Sequence, residues 1–201
     1  MSDDCPHLEQ IQPVSISETW GTTPEERRLV FACDKLSAQP DAALYRGVTI
    51  NAPAKTAFRW LCQLRVAPYS YDWIDNCGRQ SPRELTPGLD NLAVGQDVMG
   101  IFDLVDFEHD RHLTIRVKPE SSAAKTFGEI AGSYLVVPPP PQAGCPLGDP
   151  GASANSCRVI VKLIATYPRG VRGRLMRGLL PWGDLIMMRR QLLNLKRLAE
   201  R

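Results

Sequence analysis

The alternation of apolar and polar positions is plainest at the end of the chain, where residues 171–201 repeat apolar side chains at helical spacing. Leu175, Trp182, Leu185, Met188, Leu192, Leu195 and Ala199 form one stripe, flanked by Leu179, Ile186 and Leu193. So wide an apolar face predicts a long helix covered by another element, and Pro181 and Gly183 predict a kink or a fresh start within it. Upstream, Leu44, Val48 and Ile50 mark a first strand. Asn51-Ala-Pro then turns the chain into a helix with Ala57, Trp60, Leu61 and Leu64 on one face. Residues 69–78 predict a short second helix that stops at Gly78. Strands follow from residue 94, over 101–108, over 112–118 with Leu113, Ile115 and Val117 inward, and over 126–137 and 157–167. Segregated helices and consecutive antiparallel strands predict an α+β, helix-grip fold: a curved sheet wrapped around the long C-terminal helix, with an apolar cavity between them.

The flanks divide the chain further. Residues 1–15 are polar and expected to be disordered, and 16–43 form a helical preamble. There Thr23, Pro24 and Glu26 have the pattern of an N-cap, a first helical residue and a capping box. The main domain spans 44–201, interrupted at 138–156 by a Pro- and Gly-rich insertion longer than most hairpin loops.

Composition narrows the picture only in part. With 201 residues, 43% apolar and 23% charged, the chain suits one soluble globular domain. The net charge of +2 is unevenly placed, because nine Lys or Arg from position 168 onward face only Asp184 and Glu200. A basic amphipathic helix of this kind suits weak contact with an anionic membrane surface, though more often it is the solvated back of a packed helix. No basic stretch is interleaved with aromatics, which argues against nucleic acid. The acidic, polar first residues are not expected to be a signal peptide, and no run reaches about 18 apolar residues. The six cysteines lie at wide, irregular spacings without a Cys-x-x-Cys pair, as expected of reduced thiols in a cytoplasmic protein.

Candidate chemistry is concentrated in Tyr69, Tyr71, Asp72 and Trp73. Aromatic bodies with polar tips suit the rim of an apolar pocket; the same residues could equally staple a short helix. Burial of Asp72 beside Tyr71 and Trp73 would raise its pKa toward general-base range, making it a weak catalytic candidate. Glu129 is the other. One phase of the 126–137 strand turns Phe127, Glu129, Ala131 and Ser133 inward and makes Glu129 a cavity carboxylate; the opposite phase fills the core with Ile130 and Tyr134. Trp60, Leu113, Ile115, Val117, Phe127, Trp182 and Met188 complete the expected ligand lining, and Met176, Met187 and Met188 supply a soft, adaptable surface. His109 and His112 straddle a turn without a third ligand in reach, so no metal is expected. No Gly-x-Ser-x-Gly, Walker or dinucleotide fingerprint is present, so no cofactor is expected either.

The order of elements, together with Thr49-Ile-Asn-Ala-Pro-Ala-Lys-Thr-Ala-Phe-Arg-Trp-Leu, resembles the SRPBCC or START-like superfamily of Bet v 1-type allergens, polyketide cyclases and lipid-transfer domains. Glu18-Thr-Trp-Gly-Thr-Thr-Pro-Glu-Glu, and Tyr69-Ser-Tyr-Asp-Trp-Ile-Asp-Asn with Arg79, Ser81 and Arg83, are similar to a bacterial subgroup of it. The resemblance implies binding of a hydrophobic small molecule or lipid in an internal cavity. Its alternatives are a cyclase, aromatase or dehydratase moving protons through Asp72, Glu129 or a tyrosine, and a membrane- or partner-docking module using the basic helix. Oligomeric state is left open.

Overall fold

The computed structural model describes residues 15–138 and 155–201. The disorder expected for the first residues and the bulk of the 138–156 insertion lie outside the described residues. Local chemistry starts the fold as the sequence suggests. Thr23 Oγ1 accepts from the Glu26 N–H at 3.3 Å while Glu26 Oε2 accepts from the Thr23 N–H at 2.9 Å, closing a capping box around α1 (Pro24–Arg27). The helix lasts little more than one turn, and a 3-10 turn follows at Ala32–Lys35.

Among the described residues seven strands form one sheet, in the order β1-β2-β7-β6-β5-β4-β3. They are β1 (Thr19–Trp20), β2 (Ala42–Ile50), β3 (Asp97–Val98), β4 (Phe102–Glu108), β5 (His112–Val117), β6 (Glu129–Val137) and β7 (Cys157–Thr166). All neighbours are antiparallel except β1, which lies parallel to β2 at one edge. The preamble thus contributes a strand as well as helical turns. Gly21 permits the approach: its φ is 71°, and a Cβ there would sit 2.3 Å from the Gly47 carbonyl oxygen.

The inner face of the curved sheet carries Val48, Ile50, Leu104, Leu113, Ile115, Tyr134, Val136, Val159 and Val161. These join Trp60 and Leu61 of α2 (Ala54–Cys62) and Met188, Leu192 and Leu195 of the long α5 (Val171–Ala199) in one apolar core. This is the α+β helix-grip arrangement expected. The outer face is covered in its middle by the preamble, where Phe31 and Cys33 pack on Ala131, Ile160 and Ile164. Thr114 is therefore buried on the polar side of β5, sharing a 2.8 Å hydrogen bond with Ser133. Of the cysteines described, Cys33, Cys62 and Cys157 are buried free thiols and Cys77 is exposed. Among the described residues no helix is long and apolar enough to cross a membrane.

Three expectations are corrected. The strand expected at 126–137 begins only at Glu129. Ser121 caps a short α4 (Ser122–Phe127), its Oγ accepting from the Ala124 N–H at 3.1 Å, and Gly128 (φ 89°) breaks the chain direction. That start turns Ile130, Tyr134 and Val136 inward and leaves Glu129 and Phe127 exposed. The strand expected from residue 94 shrinks to β3. Finally, α5 runs unbroken through Pro181, so there is no fresh start, and its apolar stripe is not covered throughout. The buried seam follows Pro181, Leu185, Met188, Leu192, Leu195 and Ala199 at spacings of three and four. Leu175, Leu179, Trp182 and Ile186 are each more than half exposed, and Leu193 is exposed too. Adjacent residues point about 100° apart round a helix, so Trp182 faces away where Pro181 faces in.

Candidate functional site

The grip leaves a cavity of about 210 Å³ between the inner face of the sheet and α5. Its walls are mostly aliphatic: Ile115 from β5, Ile130 from β6, Val161 and Leu163 from β7, and Met187 and Met188 from α5. Gly132 of β6 forms part of the sheet wall. It has room for a side chain, because an added Cβ would meet only the Lys162 carbonyl oxygen, at 3.6 Å.

Polar groups converge on this apolar space from α5 and the 68–75 segment. Gln191 ties three elements together: its Oε1 accepts from the Tyr134 hydroxyl at 2.8 Å and its Nε2 donates to the Pro68 carbonyl at 2.7 Å. Burial pushes the Tyr134 hydroxyl pKa up, so it stays a neutral donor. Asp184 and Asp75 also line the cavity. Asp184 lies 2.6 Å from the Arg46 guanidinium, with the two side chains only 7% and 1% exposed. Arg46 stands on the inner row of β2 between Leu44 and Val48, and donates to the carbonyls of Tyr45, Ser17 and Pro181 at 2.9, 2.8 and 3.3 Å.

The pair is close but incompletely satisfied. Arg46 Nε and Asp184 Oδ2 have no aligned hydrogen-bond partner, and neither does Asp75 Oδ1. A buried ion pair needs its remaining hydrogen bonds filled to offset desolvation, and the two carboxylates among these groups, Asp184 and Asp75, line the cavity. Burial pushes the Asp184 carboxyl up to about 6, against the opposing pull of Arg46. Asp75 is also raised by burial, with the Ser70 hydroxyl acting the other way.

The side chains expected to line one site are split among five places. Ile115 and Met188 line the cavity. Trp60, Tyr69 and Leu113 are buried in the main core, with Trp60 and Tyr69 packed edge to face, while Val117 sits in a satellite cluster with Ile130. Phe127, Glu129 and Trp182 lie on the surface.

The last group, Tyr71, Asp72 and Trp73, borders a separate cleft of about 360 Å³ between the 69–83 segment and the end of α5. Tyr69 takes a left-handed conformation there (φ 55°), and its carbonyl accepts from Asn194 Nδ2 at 2.8 Å. Asp72 is not buried against its aromatic neighbours as the general-base reading required. Trp73 is 76% exposed, and Asp72 accepts from the Ser81 N–H at 2.9 Å and the Ser81 hydroxyl at 2.5 Å, tying the loop after α3 (Asp72–Asp75). His109 packs against Phe58 and Phe107, while His112 faces Asp106 and Glu108.

Sequence reading missed Arg46, Asp75, Asp184 and Gln191. Two signals were available for the ion pair. Arg46 interrupts an apolar alternation, Leu44-x-Arg46-x-Val48-x-Ile50, and Asp184 is the single acid among the residues of α5. A charge in an inward row demands an opposite partner.

No family model matches the sequence, and no curated protein matches it significantly. Solved structures similar to it include a Mesorhizobium loti protein, 12% identical, with a TM-score of 0.46 over 80% of this chain and 98% of that one. A Chromobacterium violaceum protein is 10% identical, with a TM-score of 0.44 over 79% of this chain and 97% of that one. Truncated norcoclaurine synthase from Thalictrum flavum is 10% identical, with a TM-score of 0.41 over 78% and 92%. Likeness at this level assigns no role to any residue.

Proposed function

We propose that the chain is a Bet v 1-like binding protein that takes a small hydrophobic molecule into the cavity between sheet and α5. The observation that carries this reading is the mostly aliphatic wall of a 210 Å³ space interrupted by a few polar groups, Tyr134, Asp184 and Gln191 among them. A dry apolar cavity of about 150 Å³ accepts benzene, so the space here suits a single ring or a short chain carrying one polar group. Burial of apolar ligand surface contributes roughly 25 cal/mol per Å², and the Asp184 carboxylate on the cavity wall, held by Arg46 behind it, orients the polar group. Binding is favoured over proton-transfer catalysis because the cavity tyrosine is held by Gln191 and not by a carboxylate.

The test is thermal shift with single-ring aromatics and short-chain alcohols, on the wild type and on Gly132→Leu, which fills the cavity from the sheet side. A rise in melting temperature for the wild type, lost in the variant, is expected. Equal responses from the two proteins, or none from either, would refute the reading.

A second reading has its own observation. Leu175, Leu179, Trp182 and Ile186 are bare, with Arg172, Arg174, Arg189 and Arg190 also exposed on the same helix, a pattern suited to shallow contact with an anionic membrane. Co-sedimentation with anionic vesicles that survives Trp182→Ser together with Ile186→Ser would remove it.

A further inference from the structure

The cleft beside α3 is lined by four arginines and one acidic residue, Asp72. Arg83 comes from the loop after α3, Arg190 and Arg197 from α5, and Arg201 from just beyond it. Arg190 and Arg197 are seven residues apart, which places them on one helical face. Among the described residues none of the four forms an ion pair with a carboxylate. Asp72, the acid that lines the cleft, has both oxygens engaged by Ser81.

Basic residues often offset the dipole at a helix C-terminus, but that effect fades beyond the last turn. It accounts for Arg197 and Arg201. It does not account for Arg83, which is on a loop, or for Arg190, more than two turns before the helix ends at Ala199. Arg190 is further positioned by its guanidinium lying 5.8 Å from the centre of the Tyr71 ring. Gathered like charges repel, and the planar donor fork of arginine matches the tetrahedral oxygens of phosphate, often two at a time.

We propose that this cleft binds a phosphate-bearing group, at a site separate from the apolar cavity. The group is carried either by an anionic lipid headgroup or by a free phosphorylated small molecule, and exposed Trp73 beside the arginines gives it an aromatic flank. The proposal does not depend on the cavity reading, since loss of apolar binding in Gly132→Leu leaves the arginines untouched.

Two probes test it on the full chain: pyrophosphate, by titration calorimetry, and phosphatidylcholine vesicles with and without phosphatidic acid, by co-sedimentation. At least one phosphate probe should bind. Arg83→Gln with Arg190→Gln should weaken it about tenfold or more, a loss expected for removing charge-assisted contacts, without lowering the melting temperature. Arg28→Gln with Lys55→Gln removes the same charge from exposed positions outside α5 and the cleft and should leave binding within about twofold. Arg197→Gln, a single exposed change, serves if the double variant fails to fold, and should weaken binding severalfold. Binding of pyrophosphate alone assigns a soluble ligand, and binding of acidic vesicles alone assigns a headgroup; either upholds the site. No binding of any probe, or equal losses in the two double variants, would overturn it.

Discussion

The two halves of α5 are made from much the same residues and meet opposite fates. From Leu185 to Ala199 the helix sends Leu185, Met188, Leu192 and Leu195 into the core; from Val171 to Trp182 it leaves Val171, Leu175, Leu179 and Trp182 in solvent. Apolar content does not separate them. Position round the helix and reach of the sheet do. On the buried seam, the downstream half carries leucines and Met188, whereas the upstream half carries Gly173 and Pro181, which offer little side chain to the sheet. The ion pair of Asp184 with Arg46 stands at the border, where the apolar grip gives way to a polar one.

Breaking that border should have the largest effect. Arg46→Met leaves Asp184 buried without its cation and should cost about 3–5 kcal/mol by urea denaturation. Arg46→Met combined with Asp184→Leu should restore most of the loss, since a well-packed apolar pair often matches a buried ionic one. Next comes the clasped half, where Leu192→Ala or Leu195→Ala should cost about 2–5 kcal/mol.

The pH dependence sharpens the border more gently. The folded Asp184 carboxyl, at about 6, lies above its ordinary value of 3.8. The native state therefore holds this proton more tightly than the unfolded chain does, and stability from this group is greatest below its unfolded pKa. It falls as pH rises from about 4 to about 6 and is level above that. Urea midpoints across this range should show that decline, and the paired Arg46→Met and Asp184→Leu variant should lack it. The smallest effect belongs to the bare half: Leu175→Ala and Leu179→Ala should each stay within about 0.5 kcal/mol of wild type. A loss of 2 kcal/mol there would mean that something covers this face in solution.

The sequence carried the architecture further than the site. Alternation at Leu113, Ile115 and Val117, the Thr23 capping box and the repeat of α5 are each governed by neighbours along the chain, so they were legible. The phase of β6 was not, because it depends on the cap at Ser121 and the turn at Gly128, which fix where the strand begins. A strand's parity reverses with a single residue, and with it went the choice between Glu129 and Tyr134. The site was harder still. Arg46 and Asp184 are far apart in sequence, and only the docking of α5 against β2 makes them neighbours. Tyr71, Asp72 and Trp73 stand out in the sequence as a dense aromatic and acidic run, but the arginines they border come from α5 and from the loop after α3, a convergence that periodicity does not encode.

The Arg46 guanidinium also reaches the Ser17 carbonyl, so one side chain fastens the preamble, the second strand and the closing helix at a single knot. Trimming the leader to tidy an expression clone would untie one of its three cords. A shortened version beginning after Trp20 should unfold earlier, though it would lose no residue lining the pocket.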